Sequence, residues 1–180
     1  MKVNTVTEKD LLQAALRFES GALAHIYDLY SPELYRYASR LLSDSSLSEE
    51  CVAETFSRFL KAMHARRGPK KHLRAYLYRI AHNWIVDYYR RTHETVELKD
   101  VHLGDDNTPE QEASLRIRQA QVREAISQLT PDQQRVIVLK YLEGWKNKEI
   151  AQTLKKPVGA VKSLQHRALA SLQKYLSNKE

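Results

Sequence analysis

Residues 73–91 read LRAYLYRIAHNWIVDYYRR, and this stretch decides how the rest of the chain is organised. Leu73, Leu77, Ile80, Ala81, Trp84 and Tyr88 recur at three- and four-residue spacing, the pattern of an amphipathic helix with one buried stripe. The remaining sides carry Arg74, Tyr78, Arg79, His82, Asn83, Tyr89, Arg90 and Arg91, with Asp87 as the single acid. Cations neutralise phosphates and flat rings stack on unpaired bases, so the combination suits opening or single-stranded nucleic acid. A plainer alternative is a solvated helix whose tyrosines belong to the core and whose arginines only keep it soluble.

The chain has 180 residues and a formal net charge of +7, with 5 glycines and 5 prolines. That length accommodates one domain or two small helical ones, and the scarcity of breakers favours helices. A run of about 18 apolar residues, long enough to span a bilayer, does not occur. The start MKVNTVTEKD lacks the apolar centre of a signal peptide. A soluble, cytoplasmic protein is expected. The lone Cys51 has no partner for an internal disulfide or a zinc site and is expected to pack as a small apolar residue.

Charge is segregated along the chain. Residues 1–60 carry 6 Lys/Arg against 9 Asp/Glu, and residues 61–91 carry 9 against 1. The sign then reverses, with 1 against 7 over residues 92–113, before residues 146–174 return to 7 against 1. Two basic segments separated by an acidic one predict two surfaces facing a polyanion, joined by a connector that the polyanion repels.

Taken in order, Thr7 is placed to cap a first helix with Leu11, Leu12, Ala15 and Phe18 on one face. Ile26, Leu29, Tyr30, Leu34, Tyr37, Ala38 and Leu41 keep the helical period across Ser31-Pro32, where proline either kinks the helix or starts a new one. Residues 43–46 read as a loop. Ser46 and Glu49 stand at capping-box spacing before the stripe Val52, Phe56, Phe59, Leu60 and Met63, whose exposed side carries Glu49, Glu50 and Glu54. The loop 64–72, with Arg66, Arg67, Gly68, Pro69, Lys70 and Lys71, leads into the basic helix. Residues 92–113 have no aromatic residue and read as a flexible acidic linker. The predicted domains are therefore 1–91 and 114–180.

Thr108-Pro109 supplies a helix start, followed by Leu115, Val122, Ile126 and Leu129 on one face. Thr130-Pro131 with Gln133 begins another helix, carrying Val136, Ile137 and Tyr141 and ending at Gly144. Asn147 is expected to cap a short helix containing Ile150, Ala151 and Leu154. After a break at Lys155-Lys156-Pro157, a last helix runs from Val158 to about Leu176. That is a helix-turn-helix. Ile150, Leu154, Val158 and Val161 pack it together against Val136 and Ile137. Ala160, Lys162, Ser163, Gln165, His166 and Arg167 are left facing outward, where amide, imidazole and cationic groups reach base edges and phosphates. A helical hairpin with a merely solvated basic face would show the same pattern.

With both halves placed, the chain resembles a bacterial extracytoplasmic-function (ECF) sigma factor of the sigma-70 family, from about Leu12 to Leu176. IYDLYSPELYRYASRLL, SEECVAETFSRFL and LRAYLYRIAHNWIVDYYRR resemble the family's second conserved region. LTPDQQRVIVLKYLEGWKNKEIAQTLKKPVGAVKSLQHRALASL resembles its fourth. The resemblance implies an all-α fold of two small helical domains joined by a flexible linker, the C-terminal one a helix-turn-helix. It implies no cofactor and no catalytic residue, with RNA polymerase core and promoter DNA as partners and an anti-sigma factor among the partners it allows.

The resemblance also implies roles. Glu49, Glu50, Glu54 and Phe56 would meet the polymerase. Arg66, Arg67, Lys70, Lys71, Arg74, Tyr76, Tyr78, Arg79, His82, Asn83, Arg90 and Arg91 would engage and open the minus-10 element. Lys155, Lys156, Ala160, Lys162, Ser163, Gln165, His166 and Arg167 would read the minus-35 element. The sequence departs from the family's pattern at several positions. Glu50 and Ala53 stand where Asp and Gln are usual, and Tyr76 stands for Trp. Lys155 replaces the turn glycine, Ala160 replaces a threonine, and Leu164-Gln165 inverts a commoner basic-apolar order.

Two other classes compete. A stand-alone helix-turn-helix regulator, binding duplex DNA without polymerase, would share the C-terminal half, but its N-terminal half would more often hold a ligand pocket or phosphoacceptor than an aromatic-basic helix. An enzyme is suggested only by the H-x-x-R of His64 and Arg67 in an apparent loop. The sequence has no cysteine–histidine metal spacing, glycine-rich phosphate loop or nucleophile elbow.

Overall fold

A computed structural model describes residues 7–42, 44–95 and 110–177, with the side chains of 93–95, 110–116 and 119 excepted. Among the described residues the fold is all α. Four helices form the first unit: α1 (Glu8–Leu16), α2 (Ser20–Leu41), α3 (Ser45–His64) and α4 (Leu73–Thr95). The second unit consists of α5 (Glu110–Ser127), α6 (Pro131–Ile137) with a π-helical turn over Val138–Leu142, α7 (Asn147–Leu154) and α8 (Val158–Ser177). The two small helical domains expected from the fold class are thus present. The predicted linker overlaps helix at both ends, since α4 continues to Thr95 and α5 begins at Glu110. The proposed start at Thr108-Pro109 lies outside the described residues.

Local chemistry explains most of the boundaries. Thr7 Oγ1 accepts from the backbone N–H of Asp10 at 3.2 Å while the Asp10 carboxylate accepts from Thr7 N–H at 3.3 Å, a reciprocal cap whose loss costs on the order of 1 kcal/mol. The predicted Ser46–Glu49 box is replaced. Asp44 caps α3 by accepting from Leu47 N–H at 3.1 Å, because its carboxylate reaches the first free amides and starts the helix earlier. Pro32 sits inside a continuous α2. Asn147 is the first helical residue rather than the cap, since Lys146 holds the cap position and Glu149 accepts from its backbone N–H at 2.7 Å. Gly144 ends the π-helical turn at φ +70°, as predicted for this glycine.

In the first unit Ile26, Leu34, Tyr37, Phe59, Met63, Leu73, Leu77 and Ile85 are all buried. Each such side chain is worth roughly 1.5–3 kcal/mol relative to exposure. Cys51 is buried among them, its thiol 3.7 Å from the carbonyl of Ala81, and burial pushes it up to about 12. Leu29, Leu60 and Phe18, expected on buried stripes, are exposed, because the neighbouring helices cover only one side of each helix.

In the second unit Val136, Ile150, Leu154 and Val161 join α6, α7 and α8, with Val158 and Leu164 packed alongside. Ile137 turns to a separate small cluster with Leu129 and Ala168. Val122 and Tyr141 are exposed, contrary to their predicted place on an apolar face. At Tyr141 the reason is the π-helical turn. Its wider turn, closed by i→i+5 hydrogen bonds, puts Val138 and Leu139 inside together and swings Tyr141 out.

The two units are packed together. α4 lies against α7 and α2 against α5, and one hydrophobic cluster runs from the first unit through Ile126, Leu139 and Trp145 into the second.

Candidate nucleic-acid interface

The loop between α3 and α4 presents Arg66, Arg67, Lys70 and Lys71 to solvent. Arg66 and His72 hold positive φ angles of 54° and 58°, a left-handed backbone that bends the chain sharply between the helices. A Cβ at Gly68 would lie 2.2 Å from Met63 Sδ, so a side chain there requires the buried Met63 thioether to move. Beyond the loop, the Arg79 guanidinium sits 5.1 Å from the centre of the Tyr76 ring, which packs edge-on against Phe59. Arg67, Lys71, Tyr76 and Arg79 line a cavity of about 360 Å³, completed across the unit boundary by Gln152 and Lys155. The basic loop and the turn of the helix-turn-helix therefore share one cationic recess.

The next turns of α4 depart from expectation. Tyr78 and His82, predicted on exposed sides, are both fully buried. Tyr78 Oη donates to Glu33 at 3.3 Å and its ring meets Trp145 at 4.7 Å. Burial, reinforced by Glu33, raises its phenol. His82 Nε2 lies 2.9 Å from the carbonyl oxygen of Pro131, which can only accept, so the ring proton is on Nε2. Nδ1 is then the acceptor for Tyr37 Oη at 2.7 Å. Burial, with the nearby Arg135 cation, holds His82 down to about 3, and the ring is neutral.

Arg74 and Asn83 keep polar ends within reach of solvent but are engaged. Arg74 pairs with Glu33 at 2.8 Å and Glu149 at 3.9 Å, and lies 4.2 Å over the Trp145 ring. Asn83 Oδ1 accepts from Arg135 Nη2 at 2.9 Å. Trp84 belongs to the core, stacked on Tyr88 with centroids 5.7 Å apart. Farther along α4, Arg90 is exposed and pairs with Asp87 at 3.1 Å, and exposed Arg91 donates to the Asp87 carbonyl.

On α3, Glu49 and Glu50 are exposed, and Glu54 is tied to Arg58 at 2.8 Å, which lowers its carboxyl. Phe56 is buried beneath the half-exposed Tyr27 ring at 4.8 Å. Tyr27 extends this surface; it escaped sequence reading because it lies off the buried stripe of α2.

In the helix-turn-helix, Lys155 takes φ +54°, the left-handed position at the end of α7. Lys155, Lys162, Ser163, His166 and Arg167 are exposed and Ala160 is half-buried. Lys156, also exposed, pairs with Asp132 at 3.3 Å. The inverted order resolves simply: Leu164 packs inward, while Gln165 is half-buried and donates to Asn147 Oδ1 at 2.9 Å. Sequence reading missed Glu33, Pro131, Arg135 and Trp145, which meet the α4 residues. Trp145 had no periodic neighbours to mark it as buried, whereas Arg135, a cation beside Val136 and Ile137 on an apolar face, was a usable signal.

A helix-turn-helix with an exposed cationic second helix, preceded by a separate helical unit bearing a basic loop and an aromatic-basic helix, defines a two-module DNA-binding protein. Residues 26–95 match the family described as Sigma-70 region 2 and residues 119–172 that described as Sigma-70, region 4. The ECF RNA polymerase sigma factor SigL of Mycobacterium tuberculosis is 30% identical over 168 residues, covering 90% of this chain and 93% of SigL. The ECF RNA polymerase sigma factor BldN of Streptomyces coelicolor is 29% identical over 171 residues, covering 93% of this chain and 65% of BldN. CnrH, solved in complex with the cytosolic domain of CnrY, has a similar fold, with a TM-score of 0.70 at 22% identity over 96% of this chain and 99% of that one. The chain belongs to the ECF sigma factors of the sigma-70 family, the factors that direct RNA polymerase to promoters. Among the described residues no helix is long and apolar enough to cross a membrane.

Proposed function

We propose that the work is divided between residues 1–91, which bind polymerase core and open the minus-10 element, and residues 114–180, which read the minus-35 element. The observation that carries this division is the placement of exposed cations. They gather on the α3–α4 loop and on the turn and second helix of the helix-turn-helix, while the acids Glu49 and Glu50 stand apart on α3. Point charges on flexible stems, Lys155, Lys156 and Lys162, take phosphates, and His166 and Gln165 address base edges. Loop cations and Arg79 hold the strand backbone, and Tyr76 offers its ring to an unpaired base.

The α3 surface of Glu49, Glu50 and Tyr27 docks on a basic region of core, with rim charges steering the encounter. Solved structures of similar fold include CnrH with CnrY and a sigma factor RpoE with the anti-sigma factor NepR. An anti-sigma factor is accordingly a proposed partner here, and the cytoplasm the proposed site of action. Run-off transcription with reconstituted core, with and without permanganate footprinting, tests the reading. Core-dependent transcripts with reactive thymines near minus 10 are expected. Tight binding of duplex promoter DNA without core, and no transcript with it, would replace it by a stand-alone regulator.

A further inference from the structure

A third group of cations lies away from both surfaces assigned to DNA. Arg36 and Arg40 on α2 and Arg118 and Arg123 on α5 line a cavity of about 490 Å³, a size within the roughly 300–1,000 Å³ of small-molecule sites. Arg40 has a counter-ion in Glu143 at 3.8 Å. Among the described residues Arg36, Arg118 and Arg123 have none, whereas Arg17, Arg58, Arg74 and Arg90 are each paired with a carboxylate. Arg123 Nε is also buried without an acceptor. A cationic donor kept from water and given no acceptor is costly, so this guanidinium gains by turning toward an anion in the cavity.

The rest of the lining is apolar. Val122 and Leu142 are exposed here, and the half-buried Tyr35 ring stands with them. Set against the Glu143 carboxylate, the arginines keep a clear excess of positive charge, more than a lone carboxylate ligand would balance. A chain of phosphates balances it, and the planar guanidinium fork matches phosphate oxygens two at a time. An inorganic anion would leave Tyr35, Val122 and Leu142 facing water, while a flat heterocycle covers them.

We propose that the recess between α2 and α5 binds a nucleoside di- or triphosphate, its phosphates on Arg36, Arg118 and Arg123 and its base against Tyr35, Val122 and Leu142. The site shares no residue with the α3–α4 loop or α8, so it stands apart from the DNA contacts proposed above.

The test uses the full chain, with GTP and ATP as probes in calorimetric titrations. EDTA is present so that the phosphates keep their charge. Saturable binding at a single site is expected, with inorganic triphosphate weaker by about tenfold and guanosine weaker still. Arg36→Ala and Arg118→Ala, both at exposed positions, should each weaken nucleotide binding by about tenfold while circular dichroism stays unchanged. Val122→Trp, which fills the apolar side, should weaken the nucleotide and spare inorganic triphosphate. Lys9→Ala and Lys61→Ala remove exposed cations outside the cavity and should leave the affinity unchanged. Equal losses from these lysine variants would reduce the binding to diffuse attraction and overturn the site. Inorganic triphosphate binding as tightly as GTP would overturn the nucleotide class. If Arg36→Ala and Arg118→Ala weakened binding of promoter DNA by holoenzyme but left the nucleotide titrations unmoved, the arginines would be backbone contacts and the proposal wrong.

Discussion

His82 makes the stability of this protein depend on pH in a way that a surface histidine would not. In the fold its neutral ring is clamped between Tyr37 and the Pro131 carbonyl with Arg135 nearby, and burial holds it at about 3 against an ordinary value of 6.5. The unfolded chain therefore takes up the proton more readily than the folded one. The contribution is fully present above pH 6.5 and is lost progressively as pH falls from there toward 3. At about 1.4 kcal/mol per unit, the loss between pH 8 and pH 5 comes to about 2 kcal/mol.

The control is His82→Gln, whose amide keeps a donor and an acceptor without titrating. It is expected to start less stable, yet to lose about 2 kcal/mol less than the parent over the same interval, as read from urea midpoints at pH 8, 7, 6 and 5. With a slope of about 2 kcal/mol per molar in urea, that is a difference of about 1 M in midpoint shift. Parallel pH profiles for the two proteins would show that His82 is solvated in solution, and with it the junction between α4 and Pro131.

Three further outcomes are expected. Reversing Glu49 and Glu50 to Lys should weaken core binding in a fluorescence titration while circular dichroism stays unchanged, since both are exposed on α3. Lys162→Ala should weaken binding to every minus-35 sequence alike and lower the salt slope by about one, whereas His166→Ala should cost roughly 1–3 kcal/mol on the preferred site only. Lys155→Gly should raise the thermal midpoint, because a non-glycine residue at φ +54° carries about 1 kcal/mol of backbone strain that glycine relieves.

Most of the helices were legible because each buries a stripe whose period a sequence displays directly: Leu73, Leu77 and Trp84 are buried where the period put them. The misplaced residues share a different cause. Asp44 displaced Ser46 as a cap because capping is settled by which oxygen reaches a free amide, a matter of a single residue's backbone angle. Tyr141 left its stripe because a π-helical turn adds one residue to the hydrogen-bonded turn, and no pattern of 3.6 anticipates it. For the candidate site, the exposed loop cations and α8 cations were legible as charge, which does not depend on packing. Tyr78 and His82 were not, because whether an aromatic or imidazole ring on a helix flank meets water depends on residues more than 40 positions away in sequence, Glu33 and Tyr37 on α2 and Pro131 and Trp145 in the second unit.

Where the second unit meets α4, Arg135 Nε and Trp145 Nε1 are buried without a hydrogen bond. An unsatisfied buried donor costs about 1–3 kcal/mol. Tyr78 is buried completely between α2 and Trp145, yet the same junction carries two unsatisfied donors. A junction selected only for stability would have hydrogen-bonded or replaced those groups.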